Sequence, residues 1–90
     1  MKIKYRKKFL KELSRVPATT RVKIEQFVFN DIFAIGNIFL QGNIEKMSGY
    51  HGYYKIRFGP YRVGLKMEDD TIIFERVLHR KDIYRYFPET

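Results

Sequence analysis

Two runs of alternating residues, joined by a Gly-Pro turn, constrain this chain more than any other feature. Tyr53 to Phe58 sets Tyr54, Ile56 and Phe58 against Tyr53, Lys55 and Arg57; Tyr61 to Met67 sets Tyr61, Val63, Leu65 and Met67 against Arg62, Gly64 and Lys66. Successive side chains of a strand point to opposite faces, so each run reads as a strand with one buried side. Gly59-Pro60 turns the chain between them. If the apolar sides share one core, the polar sides share one surface, which then carries Lys55, Arg57, Arg62 and Lys66. Gly64 lies among these cations without a side chain, leaving room for a ligand to approach the sheet.

An ordinary solvated sheet face mixes signs, so that cross-strand pairs attract. Like charges about 7 Å apart repel by about 2.4 kcal/mol at an effective dielectric of 20, and by about 0.6 kcal/mol in water. A face of four cations therefore points to a polyanion, against the plainer reading of a solvated surface. The whole chain agrees: 18 Lys and Arg against 10 Asp and Glu give a net charge of +8, which favours nucleic acid as a partner. The excess lies in residues 1–23, where Glu12 is the one acid. The remainder is neutral, so any basic cluster there is made by placement.

The rest of the chain supplies a frame for that hairpin. Ile3 to Tyr5 reads as a short first strand. Phe9, Leu10, Leu13 and Val16 recur at helical spacing, with Lys7, Lys8, Lys11 and Arg15 mostly on the other side. That basic side is either solvated or a second RNA-facing surface. Pro17 stops this helix, and Thr19 or Thr20 is placed to cap a second one, with Val22, Ile24, Phe27, Val28 and Ile32 as its apolar side. Residues 34–52 carry Gly36, Gly42, Gly49 and Gly52 and read as a connection, with a strand starting near Ile44 to Met47. Glu68-Asp69-Asp70 is an acidic turn, Thr71 to Leu78 a further strand, and Lys81 to Phe87 a short helical turn before Pro88. The expected fold is α+β: an N-terminal strand and a helical hairpin packed on an antiparallel sheet of about four strands, with a short C-terminal helical turn.

Ninety residues make one domain, spanning 1–90, too small for a deep multi-substrate cleft. The chain has no cysteine, hence no disulfide framework and no thiolate metal site. His51 and His79 give no metal-ligand spacing, and no cofactor is expected. The most apolar run, Phe27 to Leu40, is interrupted by Asn30, Asp31, Gly36 and Asn37 and is too short to span a membrane; the basic N-terminus precedes no signal-peptide core. The expectation is a soluble, cytoplasmic protein with no membrane partner.

Residues 53–63, Tyr-Tyr-Lys-Ile-Arg-Phe-Gly-Pro-Tyr-Arg-Val, resemble the central hairpin of the RelE/ParE toxin superfamily. Residues 77–85, Val-Leu-His-Arg-Lys-Asp-Ile-Tyr-Arg, resemble its C-terminal signature, and Lys46-Met47-Ser48-Gly49 resembles the segment leading into the hairpin. The resemblance covers the second half in detail and the N-terminal half in outline. It implies a toxin of a type II toxin–antitoxin system and, in the RelE-type branch, an endoribonuclease (mRNA interferase) that cuts messenger RNA on the ribosome. The implied partners are a cognate antitoxin protein, mRNA on the ribosome, and operator DNA only through the antitoxin complex. The other branch poisons gyrase and is not a nuclease; a non-catalytic RNA-binding module is a third reading of the same face.

The nuclease branch implies catalytic roles for Lys55, Arg57, Arg62, Arg80 and Tyr84. Arg57 stands where the family's pattern has a second Lys, and Arg80 and Tyr84 are more closely spaced than in that pattern. RNA carries its own nucleophile, the 2′-hydroxyl, so cleavage needs a base, charge stabilisation at phosphorus and protonation of the leaving 5′-oxygen. The expected products are a 2′,3′-cyclic phosphate and a 5′-hydroxyl. Lys55 is expected to act as general base, its proton loosened by neighbouring cations, or as an electrostatic stabiliser. Arg57 and Arg62 would clamp the phosphate through their planar forks, Arg80 would stabilise the leaving oxygen, and Tyr84 would stack on or orient a nucleotide. Lys46, Lys66 and Lys81 are expected RNA-binding positions. His79 is either an acid/base or a packing residue at a strand end, the second being preferred. His51 is read as structural. Glu45 and Glu75 lack an obvious paired carboxylate, which argues against a two-acid mechanism. Tyr86 and Phe87 are expected to cover the core.

Overall fold

The computed structural model describes residues 1–88 of the chain. Its elements are, in order, β1 (Lys2–Tyr5), α1 (Lys7–Leu13), α2 (Ala18–Phe29), two 3₁₀ turns (Asp31–Phe33 and Ile38–Gln41), β2 (Ile44–Lys46), β3 (Tyr53–Phe58), β4 (Tyr61–Glu68), β5 (Thr71–His79) and α3 (Ile83–Tyr86). The α+β class and the helical hairpin are as expected. The sheet differs in two respects: it has five strands, and it is mixed. Its order is β1-β5-β4-β3-β2, with β1 parallel to β5 and every other pair antiparallel. The parallel pairing follows from connectivity, since the helical hairpin carries the chain away from β1 and the β2–β5 meander returns beside it. α2 also starts differently. Pro17 is its N-cap residue and no side chain caps it. A proline suits a helix start because its φ is preset and its missing N–H is not needed there.

The two central hairpins are tight because their turn residues permit it. Phe58 faces Tyr61 across Gly59-Pro60, and Gly59 adopts φ 56°, a left-handed conformation that costs glycine little. Asp69 takes φ 53° in the acidic turn between Glu68 and Thr71, a role that Asp tolerates better than most residues. The alternation predicted for β3 and β4 holds. Ile56, Val63 and Leu65 lie fully buried with Phe9, Ile24, Val28, Ile72 and Phe74, forming the main core between the sheet and the helical hairpin.

The opposite face is where packing departs from the alternation. Met47, Ile83 and Phe87 form a second, smaller core there, supported by Tyr53 and Leu78. Phe87, 2% exposed, lies directly over Gly64; a Cβ at that glycine would stand 2.8 Å from its ring. The space above Gly64 is thus filled by the chain's own aromatic ring and is not open to a ligand. Phe87 covers a core as expected, whereas Tyr86 is exposed.

A bulge in β5 ties the two layers together. Gly64 pairs with Arg76 but Leu65 with Phe74, so Glu75 is the extra residue. β1 pairs β5 only as far as Phe74, and α1 takes over the edge from there. The Glu12 carboxylate accepts from the Val77 backbone N–H at 3.0 Å and from the Arg76 guanidinium at 2.9 Å from Nε and 2.7 Å from Nη2. Arg76 Nη1 also donates to the Tyr86 carbonyl at 3.3 Å, joining α3 to the same pair. Arg76 is only 7% exposed, and this carboxylate offsets the cost of burying its charge.

Two stability measurements test this arrangement. Glu12→Ala takes the Glu12 carboxylate away from a buried guanidinium and is expected to cost about 3–5 kcal/mol in urea unfolding; replacing the pair by Glu12→Leu with Arg76→Met should recover most of that. Gly64→Ala forces a methyl group against the Phe87 ring and is expected to cost about 1–3 kcal/mol, and less when Phe87 is already Leu.

Candidate RNA-cleavage site

Arg57 and Arg62 face each other directly across β3 and β4, and Lys55 faces Gly64 one row along the same side of the sheet. Arg80 follows β5, where its backbone N–H donates to the Pro60 carbonyl at 2.8 Å and pins it to the β3–β4 turn. Tyr84 projects from α3, its ring centroid 3.9 Å from Lys55 Nζ. The fold therefore brings together the five residues singled out from the sequence, drawn from β3, β4, the segment after β5, and α3. α3 itself is held by the buried Ile83 and Phe87 and by Arg76.

The electrostatics differ from a bare row of cations. Burial, then the charges of Arg57 and Arg80, depress the pKa of Arg62, while Glu45 acts the other way. An arginine stays charged through such a shift, so its effect is to make Arg62 avid for an anion. For now its Nη1 is tied to backbone, donating to the carbonyls of Gly59 at 2.8 Å and Tyr61 at 3.0 Å. Lys55 is 6% exposed, enclosed by the Tyr84 ring on one side and by Glu45 Oε2 at 3.7 Å on the other. Glu45 lies directly opposite Lys55 on β2. The expectation of neighbours of one sign thus omitted a carboxylate at the heart of the cluster. Both contacts stabilise an ammonium ion, through charge and through the negative face of the ring.

The remaining expected positions divide. Lys66 is on the same face, but Phe87 above Gly64 stands between it and the arginines. It pairs with Glu68 at 3.0 Å and lies over the Tyr53 ring, and the hydrogen bond to Glu68 above all raises its pKa. Lys46 is opposite Tyr54, which packs on the main core, so its position belongs to the other face of the sheet. The short edge strand reverses the side that a simple basic patch would assign to it. Lys81 is exposed on the turn after β5, and among the described residues its backbone N–H, not its side chain, makes a hydrogen bond, to His79. His79 lies opposite Tyr61 on the helix-facing side of the sheet, with its ring against Tyr61 and its Nδ1 accepting from the Lys81 backbone N–H at 3.2 Å. That is the packing role preferred from the sequence.

Two residues that sequence reasoning did not assign matter here. Glu45 became visible only through the β2–β3 register, which the glycine-rich approach to the hairpin conceals. Arg76 sits at a bulge, and no periodicity announces a bulge; a charged residue inside an otherwise apolar strand run was the one signal available. Among the described residues, no group of three or more His, Asp or Glu side chains is placed to hold a metal ion. No helix among them is long and apolar enough to cross a membrane.

Comparison with known proteins identifies the family of the chain and agrees with its fold. Residues 3–84 match the family model described as the ParE toxin of the type II toxin–antitoxin system parDE. Toxin RelE3 of Methanocaldococcus jannaschii is 46% identical over 88 residues, spanning 98% of this chain and the whole of that protein. Among solved structures, a RelB-RelE antitoxin–toxin complex from Methanococcus jannaschii contains a chain 44% identical, with a TM-score of 0.80 over 94% of this chain and 99% of that one. The isolated RelE toxin of E. coli, 20% identical, shares the fold at a TM-score of 0.65 over 93% of this chain and 90% of that one. The chain belongs to the RelE/ParE superfamily of type II toxin–antitoxin toxins.

Proposed function

We infer that this toxin is an endoribonuclease that cuts messenger RNA, acts on the ribosome, and needs no metal for the bond-breaking step. The observation that carries this reading is the convergence of Lys55, Arg57, Arg62, Arg80 and Tyr84 at one end of one sheet face. Four cations around one point suit the doubly charged phosphorane that forms when the 2′-hydroxyl attacks phosphorus. Arg57 and Arg62 grip the non-bridging oxygens, with Arg62 exchanging its turn carbonyls for phosphate. Lys55 adds charge from beneath, Arg80 stabilises the leaving 5′-oxygen, and Tyr84 orients the adjoining nucleotide. The products are a 2′,3′-cyclic phosphate and a 5′-hydroxyl.

The small size of the protein supports a role for the ribosome. The cluster offers phosphate contacts and one exposed ring, with few groups to read or hold a base. A ribosome that presents the messenger in a fixed geometry supplies the missing positioning. Relatives crystallised as RelB-RelE and RelE-RelB complexes support a cognate antitoxin as the second partner, acting where it covers the cationic end of the sheet. Operator DNA would be met through that complex, and a cytoplasmic location follows from the substrate. The family model's own description, a ParE toxin, supports a second reading in which the chain inhibits gyrase and cuts nothing.

The test adds purified toxin to programmed ribosomes and maps new 5′ ends on the messenger. Cuts at the decoding site are expected, with 5′-hydroxyl ends. Arg80→Ala is expected to slow single-turnover cleavage by about 100- to 1000-fold, as loss of one transition-state donor does elsewhere. A 5′-phosphate product overturns the mechanism. An intact messenger together with inhibited supercoiling selects the gyrase reading, and ribosome or RNA binding without cleavage selects a binding module.

A further inference from the structure

RNA cleavage through the 2′-hydroxyl needs a group that accepts a proton in its ordinary state at neutral pH. Lys55, Arg57, Arg62 and Arg80 are cations at that pH and can only donate. The Lys55 ammonium is enclosed by a carboxylate and an aromatic face and is only 6% exposed, so an incoming 2′-hydroxyl does not reach it. His79 belongs to the helix-facing side of the sheet, and its Nδ1 is occupied by the Lys81 N–H. Tyr84 is a phenol with a reference pKa near 10, hence a poor acceptor at neutral pH. Glu45 remains. It is acceptor-only when ionised, and it is the one carboxylate whose charge is felt at Arg62. At 59% side-chain exposure it is open to an incoming strand of RNA, whereas Lys55 is not.

We propose that Glu45 is the general base of the cleavage reaction and that Lys55 is the cationic partner that positions it and stabilises the phosphorane. The proposal rests on the nuclease reading above. A Glu45 oxygen takes the proton of the 2′-hydroxyl. The freed electron pair forms the bond from the 2′-oxygen to phosphorus, and the bond from phosphorus to the 5′-oxygen breaks. The 5′-oxygen leaves with a proton from a water molecule near Arg80, and the Glu45 carboxylic acid then returns its proton to solvent. One proton passes overall from the 2′- to the 5′-oxygen, so no other reactant is consumed. The 3.7 Å from Glu45 Oε2 to Lys55 Nζ suits this division of work. A phosphate oxygen held by Lys55 would bring the neighbouring 2′-hydroxyl alongside the carboxylate.

The charged and titratable groups facing Glu45 are Lys55 and, diagonally, Arg57 from β3, Arg62 from β4, and Tyr84 from α3 behind Lys55. Lys46, its neighbour on β2, belongs to the opposite face. Among the described residues none of these facing groups is another carboxylate, and Glu68, on the same sheet face, pairs with Lys66 beyond Phe87, so an acid limb lost in Glu45→Gln is the one that reports Glu45.

The experiment compares wild type, Glu45→Gln and Glu45→Asp in single-turnover cleavage on programmed ribosomes, from about pH 5 to about pH 8. Glutamine keeps the shape and hydrogen bonding but cannot take the proton. Its expected effect is a fall of about 100-fold or more in the limiting rate, no rise in the toxin concentration giving half-maximal rate, and loss of the acid limb. Aspartate should restore part of the rate and the acid limb with it. A Gln variant as fast as wild type overturns the proposal while leaving the nuclease reading intact. Equal loss in Gln and Asp, with the acid limb retained in both, also overturns it by marking a structural pair. A wild-type protein that cuts nothing removes the nuclease reading itself, and this proposal with it. Thermal unfolding of each variant checks that the fold is retained at the temperature of the assay.

Discussion

The ion pair between Glu12 and Arg76 is the joint on which the rest of this structure hangs. Glu12 sits on the first helix and Arg76 at the bulge of the last strand, on the far side of the chain in sequence. The carboxylate also satisfies the Val77 N–H, which the short first strand leaves without a ladder partner. One side chain thus closes a sheet edge, neutralises a buried cation and fixes the helix against the sheet. A buried ion pair is seldom worth more than apolar packing of the same volume, so its value here is geometric. It dictates where the bulge falls, and through the Tyr86 carbonyl it dictates where the C-terminal turn lies.

That turn in turn decides what the cationic face can do. Phe87 seals the space over Gly64 and divides the face in two. Lys66 is left on one side, paired with Glu68, and the arginines stand on the other. The same four-residue helix sets Tyr84, 70% exposed, over Lys55. A half-open sheet face has become a compact site at one end because a short aromatic segment covers the rest. The site carries the strain of like charges: Arg57 opposes Arg62, and Arg80 adds to the repulsion at Arg62. Glu45 offsets part of that repulsion, and an anionic substrate would offset more. A stable resting state and an avid site are two consequences of one charge arrangement.

The basic first helix and the cationic end of the sheet both add to the positive charge of the protein. Glu12 is the one acid among residues 1–23, and it is turned inward to Arg76. The segment keeps an excess of positive charge, although Arg6 pairs with Glu75 at 3.8 Å and the N-terminal amine with Asp70 at 3.2 Å. Such an excess raises the encounter rate with a polyanion without specifying how it binds.

The sequence by itself determined the local periods and the chemistry available. Alternation in 53–58 and 61–67 assigned the two central strands and their faces, because a strand's period of two leaves no choice once one face is apolar. Gly59-Pro60 located the turn, and the motifs around Lys55, Arg57, Arg62, Arg80 and Tyr84 marked the residues that the fold then brought together. Long-range pairing was beyond such reading. The fifth strand, the parallel edge, the bulge at Glu75 and the side on which Lys46 falls all depend on register between distant segments, which no local period encodes. The filling of the space over Gly64, the neutralisation of Arg76 by Glu12 and the meeting of Glu45 with Lys55 were decided by tertiary packing alone. Each joins residues that are unremarkable one by one, and their free energy exists only when the chain brings them within a few ångströms.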